Sequence, residues 1–304
     1  MSPSLVEEVQ ELKRRRNAVI LAHNYQLGEI QDVADHVGDS LYLSRMAMGT
    51  DAKVIVFSGV LFMAETAKIL NPEKTVLLPD LEAGCSLSDS ITADQLRAWK
   101  AEHPGAVVVS YVNTSAEVKA ESDYCCTSSN ALDIVRRIPE STEVLFLPDM
   151  FLGDYVKRKI GRKNMHLWAG DCFVHTRMRP DTVRRMRAEH PGAELVAHPE
   201  CGCSTEVLPD VDRVLSTDGM MRYANETRSP EVLIATEIGI LHRMRKVNTT
   251  TNFLPLSPEA VCPFMKKNTL EKLRNSLRDM KFQIDVPAPT IVKARRALER
   301  MVAA

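Results

Sequence analysis

The strongest constraint on the fold is a unit of roughly 88 residues that occurs three times along the chain. The hexapeptide AEHPGA stands at residues 101–106 and again at 188–193. Ungapped alignment around it pairs three apolar segments that each run into polar residues: NAVILAHNYQ (17–26), GAVVVSYVNT (105–114) and GAELVAHPEC (192–201). A helical pattern precedes each segment, so the Pro and Gly of AEHPGA end a helix and start a strand. A period of this length is typical of a repeated supersecondary unit.

Two more apolar strands follow in every repeat, separated by helical patterns. The second strands are AKVIVFSG, TEVLFLPD and PEVLIATE, and the third are KTVLLPDLEAGC, NMHLWAGDC and TNFLPLSPEAVC. Alternating strands and helices favour parallel sheets with helices on both faces. We therefore predict an α/β fold of three homologous three-layer α/β/α domains, with short parallel sheets around a pseudo-threefold axis. The predicted domains are 1–104, 105–191 and 192–269, with C-terminal helices in 270–304 packing back on the first.

Composition excludes several classes of function. The formal net charge is −1, and 44% of the residues are hydrophobic, as in an ordinary globular protein. No basic block favours nucleic acid or an anionic membrane. The charged start of the chain does not resemble a signal peptide, and no apolar run is long enough to span a bilayer. We expect a cytoplasmic protein, in which cysteines are thiols or metal ligands more often than disulfides.

The repeat makes three of the seven cysteines equivalent, because Cys85, Cys172 and Cys262 each end the third strand segment of a unit. Ligands of parallel sheets bind beyond the carboxyl ends of the strands, so these thiols are predicted to converge. Three thiolates suit a soft metal centre. Zinc is one alternative and coincidental alignment of core cysteines another, but a 4Fe–4S cluster with one open iron fits best.

The other four cysteines are interpreted differently. Cys125 and Cys126 have no counterparts in the other units and are predicted to be small buried apolar residues. Cys201 and Cys203 form a C-x-C pair, which is typical of a redox disulfide or of two metal ligands.

Candidate acid–base residues follow the first strands of the first and third units. His23 and Tyr25 stand in HNYQ, and His198 and Glu200 stand at the matching place in HPE. Two histidines at equivalent positions beside a tyrosine and a glutamate favour proton transfer over a purely structural role. His175 follows Cys172 as C-x-x-H and is predicted to support the metal centre from outside its ligand set. His103 and His190, in the duplicated turn, are predicted to be ordinary surface residues.

Hydroxyl residues recur at the predicted starts of three helices, at Ser40, Ser128 and Ser216 with Thr217. Capping of the helix N-terminus is part of their role. Free N–H groups and hydroxyls at such ends also bind carboxylate or phosphate, which predicts a polyanionic substrate.

Together, several motifs resemble the quinolinate synthase family over about residues 9–275: NAVILAHNYQ, LLPDLEAGCSLSD, YVNTSAEVK, CCTSSNA, VAHPEC, STDGM, ATEIGILHR and the W-x-G-x-C-x-x-H run. The resemblance implies three α/β domains, one 4Fe–4S cluster, and condensation of iminoaspartate with dihydroxyacetone phosphate to quinolinate, phosphate and two waters. It also implies functional coupling to an iminoaspartate-producing enzyme.

The resemblance also implies roles for individual residues. Cys85, Cys172 and Cys262 match the cluster ligands, and Tyr25, His198 and Glu200 match residues of acid–base chemistry. The implied substrate contacts are His23, Ser40, Tyr111, Asn113, Ser128, His198, Glu200 and Thr217. Asp218 departs from the family pattern, which implies a smaller or neutral residue at this position. It adds a carboxylate near an anion site.

Two alternatives remain at this point. Another three-cysteine 4Fe–4S enzyme, such as a hydroxymethylbutenyl diphosphate reductase or a diphthamide-forming enzyme, would need an electron donor or adenosylmethionine. A non-catalytic iron–sulfur sensor would need a recognition surface for DNA or a partner protein, and the sequence has no basic recognition helix.

Overall fold

Three parallel sheets make up the strand content of the computed structural model, which describes residues 4–202 and 211–304. The first sheet contains β1 (Ala18–His23), β2 (His36–Gly38), β3 (Val54–Ser58) and β4 (Thr75–Leu77). The second contains β5 (Val107–Tyr111), β6 (Tyr124–Cys126), β7 (Val144–Leu147) and β8 (Met165–Leu167). The third contains β9 (Glu194–Ala197), β10 (Arg213–Val214), β11 (Glu231–Ala235) and β12 (Asn252–Pro255).

All three sheets have the same spatial strand order. The strand that is second in sequence lies at one edge, and the first, third and fourth strands follow it across the sheet. Every strand pair within them is parallel. The predicted α/β fold class of three units with short parallel sheets is confirmed. The exact boundaries of the three domains stay a prediction.

Helices connect the strands. Those before and within the first two sheets are Leu5–Arg16, Gly28–Val33, Ser40–Gly49, Leu61–Leu70, Ala93–Glu102, Ala116–Ala120, Ala131–Arg136 and Met150–Ile160. The later ones in the described residues are Phe173–Thr176, Pro180–Glu189, Thr217–Glu226, Ile240–Val247, Leu270–Asp279 and Ala288–Val302. Two short 3₁₀ turns cover Ser88–Ser90 and Met265–Lys267. None of the described helices combines the length and the apolarity needed to cross a membrane.

Local sequence explains where several helices begin. Ser4 and Glu7 form a capping box at the first helix, and Thr92 and Gln95 form another at helix Ala93–Glu102. The latter helix ends in the first copy of AEHPGA, where Gly105 has a φ of 87°. That left-handed conformation strains residues with a Cβ, which explains the glycine that turns the chain into β5.

The first strand of each sheet divides its side chains between two cores, because successive residues of a strand point to opposite faces. One face of all three sheets contributes to a single shared hydrophobic cluster, through Leu21, Val109 and Val196. The opposite faces contribute to three separate clusters, through Ile20, Val108 and Leu195. All six side chains are buried. Burial on both faces accounts for the nearly continuous apolar runs in the sequence.

The C-terminal helices do not pack on one unit alone. Helix Leu270–Asp279 packs against helix Leu5–Arg16 and β3. Helix Ala288–Val302 contacts helix Leu61–Leu70 but also helix Ala116–Ala120 and β6 of the second sheet. The tail therefore joins the first two sheets, a contact that the sequence did not predict.

Candidate functional site

The carboxyl ends of the three first strands open into one cavity. His23 is the last residue of β1, Tyr111 is the last residue of β5, and His198 directly follows β9. The twelve residues predicted to be cluster ligands, acid–base residues or substrate contacts all line this cavity: His23, Tyr25, Ser40, Cys85, Tyr111, Asn113, Ser128, Cys172, His198, Glu200, Thr217 and Cys262. The structure thus brings the predicted residues together, while their individual roles stay predictions.

The two histidines at matching positions of the repeat have the same local geometry. The backbone N–H of Tyr25 donates to His23 Nδ1 at 3.2 Å, and the N–H of Glu200 donates to His198 Nδ1 at 3.4 Å. Because the residue two positions later holds Nδ1, Nε2 of each ring is left for other partners. For His198 that partner is Ser128 Oγ of the second unit, at 3.0 Å.

A line of polar atoms crosses the wall of the cavity from Tyr25 to Glu200. Tyr25 Oη lies 2.5 Å from Thr236 Oγ1, which lies 2.9 Å from His175 Nε2. On its other side, His175 Nδ1 is 3.2 Å from Glu200 Oε2, a close contact without the alignment of a hydrogen bond. Only 2% of the His175 side chain and 4% of the Glu200 side chain are exposed, so water screens this contact little.

The carboxylate of Glu200 contacts two stacked imidazoles. The ring of His175 stacks on that of His198 with centroids 4.9 Å apart, and His198 Nδ1 is also 3.2 Å from Glu200 Oε2. One ligand atom from each of these three residues lies within 4.8 Å of the others, so the group could also hold a metal ion. Its position between Tyr25 and the hydroxyl of Ser128 suits proton transfer as well.

Burial and neighbouring charges set the protonation states of the site. Burial, helped by His198 and Lys266, lowers the pKa of His23 to about 3, and burial lowers the pKa of His175 to about 4. Burial would raise the pKa of Glu200, but His175 and His198 outweigh it and hold that pKa below its usual value. Burial, followed by the charge of Glu200, raises the pKa of Tyr25 well above its usual value. Near neutral pH the site therefore holds two neutral imidazoles, a carboxylate and a protonated phenol.

The three equivalent cysteines share a local arrangement. Burial raises the pKa of all three thiols, that of Cys85 to about 12. Each Sγ also accepts backbone N–H groups from residues two or three positions later, which lowers the pKa in part. The donors are Leu87 and Ser88 for Cys85, His175 for Cys172, and Phe264 and Met265 for Cys262.

The remaining described cysteines differ from these. Cys126 is completely buried in the shared hydrophobic core, where burial raises the pKa of its thiol well above the usual value. Cys125 is equally buried, and neither residue lines the cavity. Cys203 lies outside the described residues, so its redox pairing with Cys201 stays a prediction.

Comparison with known proteins identifies the family of this chain. The family model described as Quinolinate synthetase A protein matches residues 7–303. A quinolinate synthase from Thermus thermophilus is 55% identical over 303 residues, covering 99% of this chain and 97% of the relative. The chain belongs to the quinolinate synthase family. Quinolinate synthases from Mycobacterium sp. strain KMS and Mycobacterium tuberculosis are 54% and 52% identical, and the match covers 97% of this chain in both and 90% and 87% of the relatives.

The helix starts of this quinolinate synthase family member meet one another beside the cavity. Ser129 Oγ donates to Asp39 Oδ2 at 2.5 Å and lies 2.9 Å from Ser216 Oγ. Asp39 and Ser216 cap helices Ser40–Gly49 and Thr217–Glu226, whereas the helix after Ser128 begins only at Ala131. Ser128 is therefore a loop residue, not the first residue of a helix.

Asp218 does not point into the site. It is absent from the residues that line the cavity, and its carboxylate pairs with Arg222 one turn further along the same helix. Nearly two fifths of its side chain is exposed. The extra carboxylate noted in the sequence is thus partly neutralised at the surface.

Sequence reasoning missed several polar residues at or beside this cavity, among them Thr236, Glu237 and Lys266. Glu237 accepts hydrogen bonds from the N–H groups of Cys262 and Gly239 and pairs with Lys266 Nζ at 2.9 Å. Lys266 Nζ also donates to the backbone oxygen of Tyr25. Thr236 and Glu237 could have been predicted from the sequence, because they form a polar pair directly after β11, at the ligand-binding end of the third sheet.

Proposed function

We propose that this protein is an active quinolinate synthase, which condenses iminoaspartate with dihydroxyacetone phosphate and releases quinolinate, phosphate and two waters. The observation that carries the proposal is the meeting of three thiols with Tyr25, His198 and Glu200 in one cavity at the strand ends. Membership of the quinolinate synthase family supports the same reaction.

Three cysteines are proposed to hold a 4Fe–4S cluster. Buried thiols with raised pKa values are poor free thiolates, but a metal stabilises the thiolate form and backbone N–H···S bonds assist it. The donor set therefore fits the cluster. When bound, a cluster with one iron not held by the protein supplies a Lewis acid for the departure of hydroxide.

Neutral groups are proposed to bind the carboxylates and phosphate of the substrates. Neither Lys nor Arg is among the described residues that line the cavity, whereas Ser40, Ser128 and Thr217 supply hydroxyls. Ser40 and Thr217 are also the first residues of their helices, where free N–H groups favour anions. Neutral His23 can donate from Nε2, because its Nδ1 accepts from the backbone.

Acid–base chemistry is assigned to Glu200, His198 and Tyr25. Glu200 is ionised and buried, so it can accept a proton from a carbon or nitrogen of the substrate. Protonated Tyr25 can donate to a leaving oxygen. Thr236 and His175 lie between the two residues, and we propose that a proton taken up at Glu200 returns to Tyr25 through them once His175 Nδ1 aligns with the carboxylate. Tyr111 and Asn113 are proposed to orient the substrate.

Single replacements of Cys85, Cys172 and Cys262 by serine test the proposal. The protein is purified without oxygen, iron and sulfide are measured, and quinolinate and phosphate are quantified after mixing with both substrates. We expect each replacement to abolish the cluster and the activity.

Cys126→Ser is the matched control, because this cysteine is buried away from the cavity, and it should keep iron, sulfide and turnover. Equal loss in the control would refute the ligand assignment. Turnover in the absence of an electron donor and of adenosylmethionine separates this function from the related three-cysteine enzymes. Wild-type protein with a full cluster and no turnover would instead favour the sensor.

A further inference from the structure

The second unit carries a cluster of metal-ligating side chains far from the cavity. His103 lies in the AEHPGA turn before β5, Glu143 directly precedes β7, and His166 lies in β8. One ligand atom from each lies within 4.8 Å of the other two. Between 22% and 45% of each side chain is exposed, so an ion in solution can reach them. These residues lie at the amino-terminal ends of the strands of the second sheet, and the cavity lies at their carboxyl ends.

His103 and Glu143 are joined by a long hydrogen bond, and the spacing of the three ligand atoms also accommodates a bound ion. Glu143 Oε2 is 3.2 Å from His103 Nδ1, and Glu143 Oε1 is 3.6 Å from His166 Nε2. Charge-assisted hydrogen bonds are shorter, about 2.7–2.9 Å. Two ligands of a tetrahedral ion with bonds of about 2.1 Å lie about 3.4 Å apart. In addition, His166 Nε2 is buried and lacks a hydrogen-bond partner in the described residues.

The equivalent turn before β9 forms a His–Glu contact that has no second histidine beside it in the described part of the chain. There His190 Nδ1 and Glu231 Oε1, the counterparts of His103 and Glu143, form a hydrogen bond of 2.7 Å. Asn252 Nδ2 donates to the other carboxylate oxygen at 3.0 Å. The register of the strands makes Leu254 the counterpart of His166. The second and third sheets thus share a His–Glu contact, and among the described residues only the second sheet adds another imidazole to it.

We propose that His103, Glu143 and His166 form a binding site for a divalent transition-metal ion such as zinc or nickel. Two imidazoles and a carboxylate are ligands that these ions favour, and water completes the coordination. The two imidazole rings, with centroids 4.4 Å apart, come from different elements. The ion therefore links the helix–strand turn to β7 and β8. This site does not depend on the proposed reaction.

Both tryptophans of the chain lie beside this site and report on it. The Trp99 ring is 6.3 Å from that of His103 and 5.5 Å from that of Trp168, which follows β8. Nickel quenches indole emission at short range. The experiment is a titration of tag-free, anaerobically purified enzyme with Ni²⁺, followed by tryptophan fluorescence.

We expect saturable quenching in the wild type. His166→Leu and Glu143→Gln should each weaken the apparent affinity at least about tenfold, since each removes a ligand. His190→Asn, the matched control, should bind like the wild type. Absence of saturable quenching, wild-type affinity in either ligand variant, or equal weakening in His190→Asn would overturn the proposal. Emission spectra and melting curves without nickel verify that each variant is folded.

Discussion

Removing one hydroxyl should break the connection between Tyr25 and Glu200. Thr236→Val keeps the shape of a side chain that is 1% exposed but removes Oγ1, the atom that contacts both Tyr25 Oη and His175 Nε2. Tyr25 can turn its hydroxyl toward the cavity, whereas His175 Nε2 stays buried without a partner. An unsatisfied buried group costs about 1–3 kcal/mol, so we expect the free energy of unfolding to fall by that amount.

The catalytic effect should exceed the effect on stability. General acid–base transfer contributes roughly 10²–10⁴-fold to rates, so loss of the bridging hydroxyl should lower kcat by about 10²-fold or more. Thr236 does not line the cavity, and KM should therefore change little. The measurements are steady-state kinetics of quinolinate formation, urea unfolding, and iron content as proof of an intact cluster.

Thr236→Ser is the matched control, because it keeps the hydroxyl and loses only a methyl group. It should retain kcat within about tenfold of the wild type. The reasoning is refuted if the valine variant turns over within fivefold of the wild type, or if serine and valine are equally impaired. A large increase in KM with unchanged kcat would show that Thr236 acts on substrate binding instead.

Three further predictions concern stability. Burial lowers the pKa of His23 from 6.5 to about 3, so the unfolded chain binds a proton more readily between these values. The stabilisation by neutral His23 is complete above about pH 7.5, and on acidification it is lost at a rate that approaches about 1.4 kcal/mol per pH unit below about pH 5.5. Urea unfolding at pH 6.5 and 5.5 should therefore show a change about 1 kcal/mol smaller in His23→Gln, and identical changes would contradict this. Arg162 is 4% exposed and donates to four backbone carbonyls around residues 135–142. Arg162→Met should therefore lower the free energy of unfolding in urea by about 3 kcal/mol. A decrease below about 1 kcal/mol would contradict that role. Glu237→Gln weakens a buried contact with Lys266 and should lower the free energy of unfolding by about 2–3 kcal/mol. Glu82→Gln is the control, because it weakens an exposed ion pair with Lys267 and should change the free energy of unfolding by less than about 1 kcal/mol.

The repeat allowed the architecture and most of the cavity to be predicted from the sequence. Three aligned strand patterns implied three parallel sheets, and parallel sheets bind ligands at the carboxyl ends of their strands. His23, Tyr111 and His198 could therefore be assigned to one site although they belong to different units. The same logic made Cys85, Cys172 and Cys262 equivalent, because their positions relative to the strands repeat.

The predictions that failed depended on local conformation. Ser128 was expected to start a helix, but Asn130 precedes the first helical residue and the serine lies in the loop. Another contact was not predicted: helix Ala288–Val302 contacts helix Leu61–Leu70 of the first unit, and it also packs on the second. An amphipathic pattern identifies the buried face of a helix without identifying the surface that buries it.

The sequence by itself determined the number of units, the order of their strands and the kinds of residue at the strand ends, because periodicity and chain direction are local properties. Only the tertiary structure decided that Thr236 bridges Tyr25 and His175, that Lys266 contacts Tyr25 beside Glu237, and that two histidines share one carboxylate at Glu200. These contacts join residues up to 241 positions apart. Their existence depends on how the units pack, and packing is a property of complementary surfaces that no single segment of the chain contains.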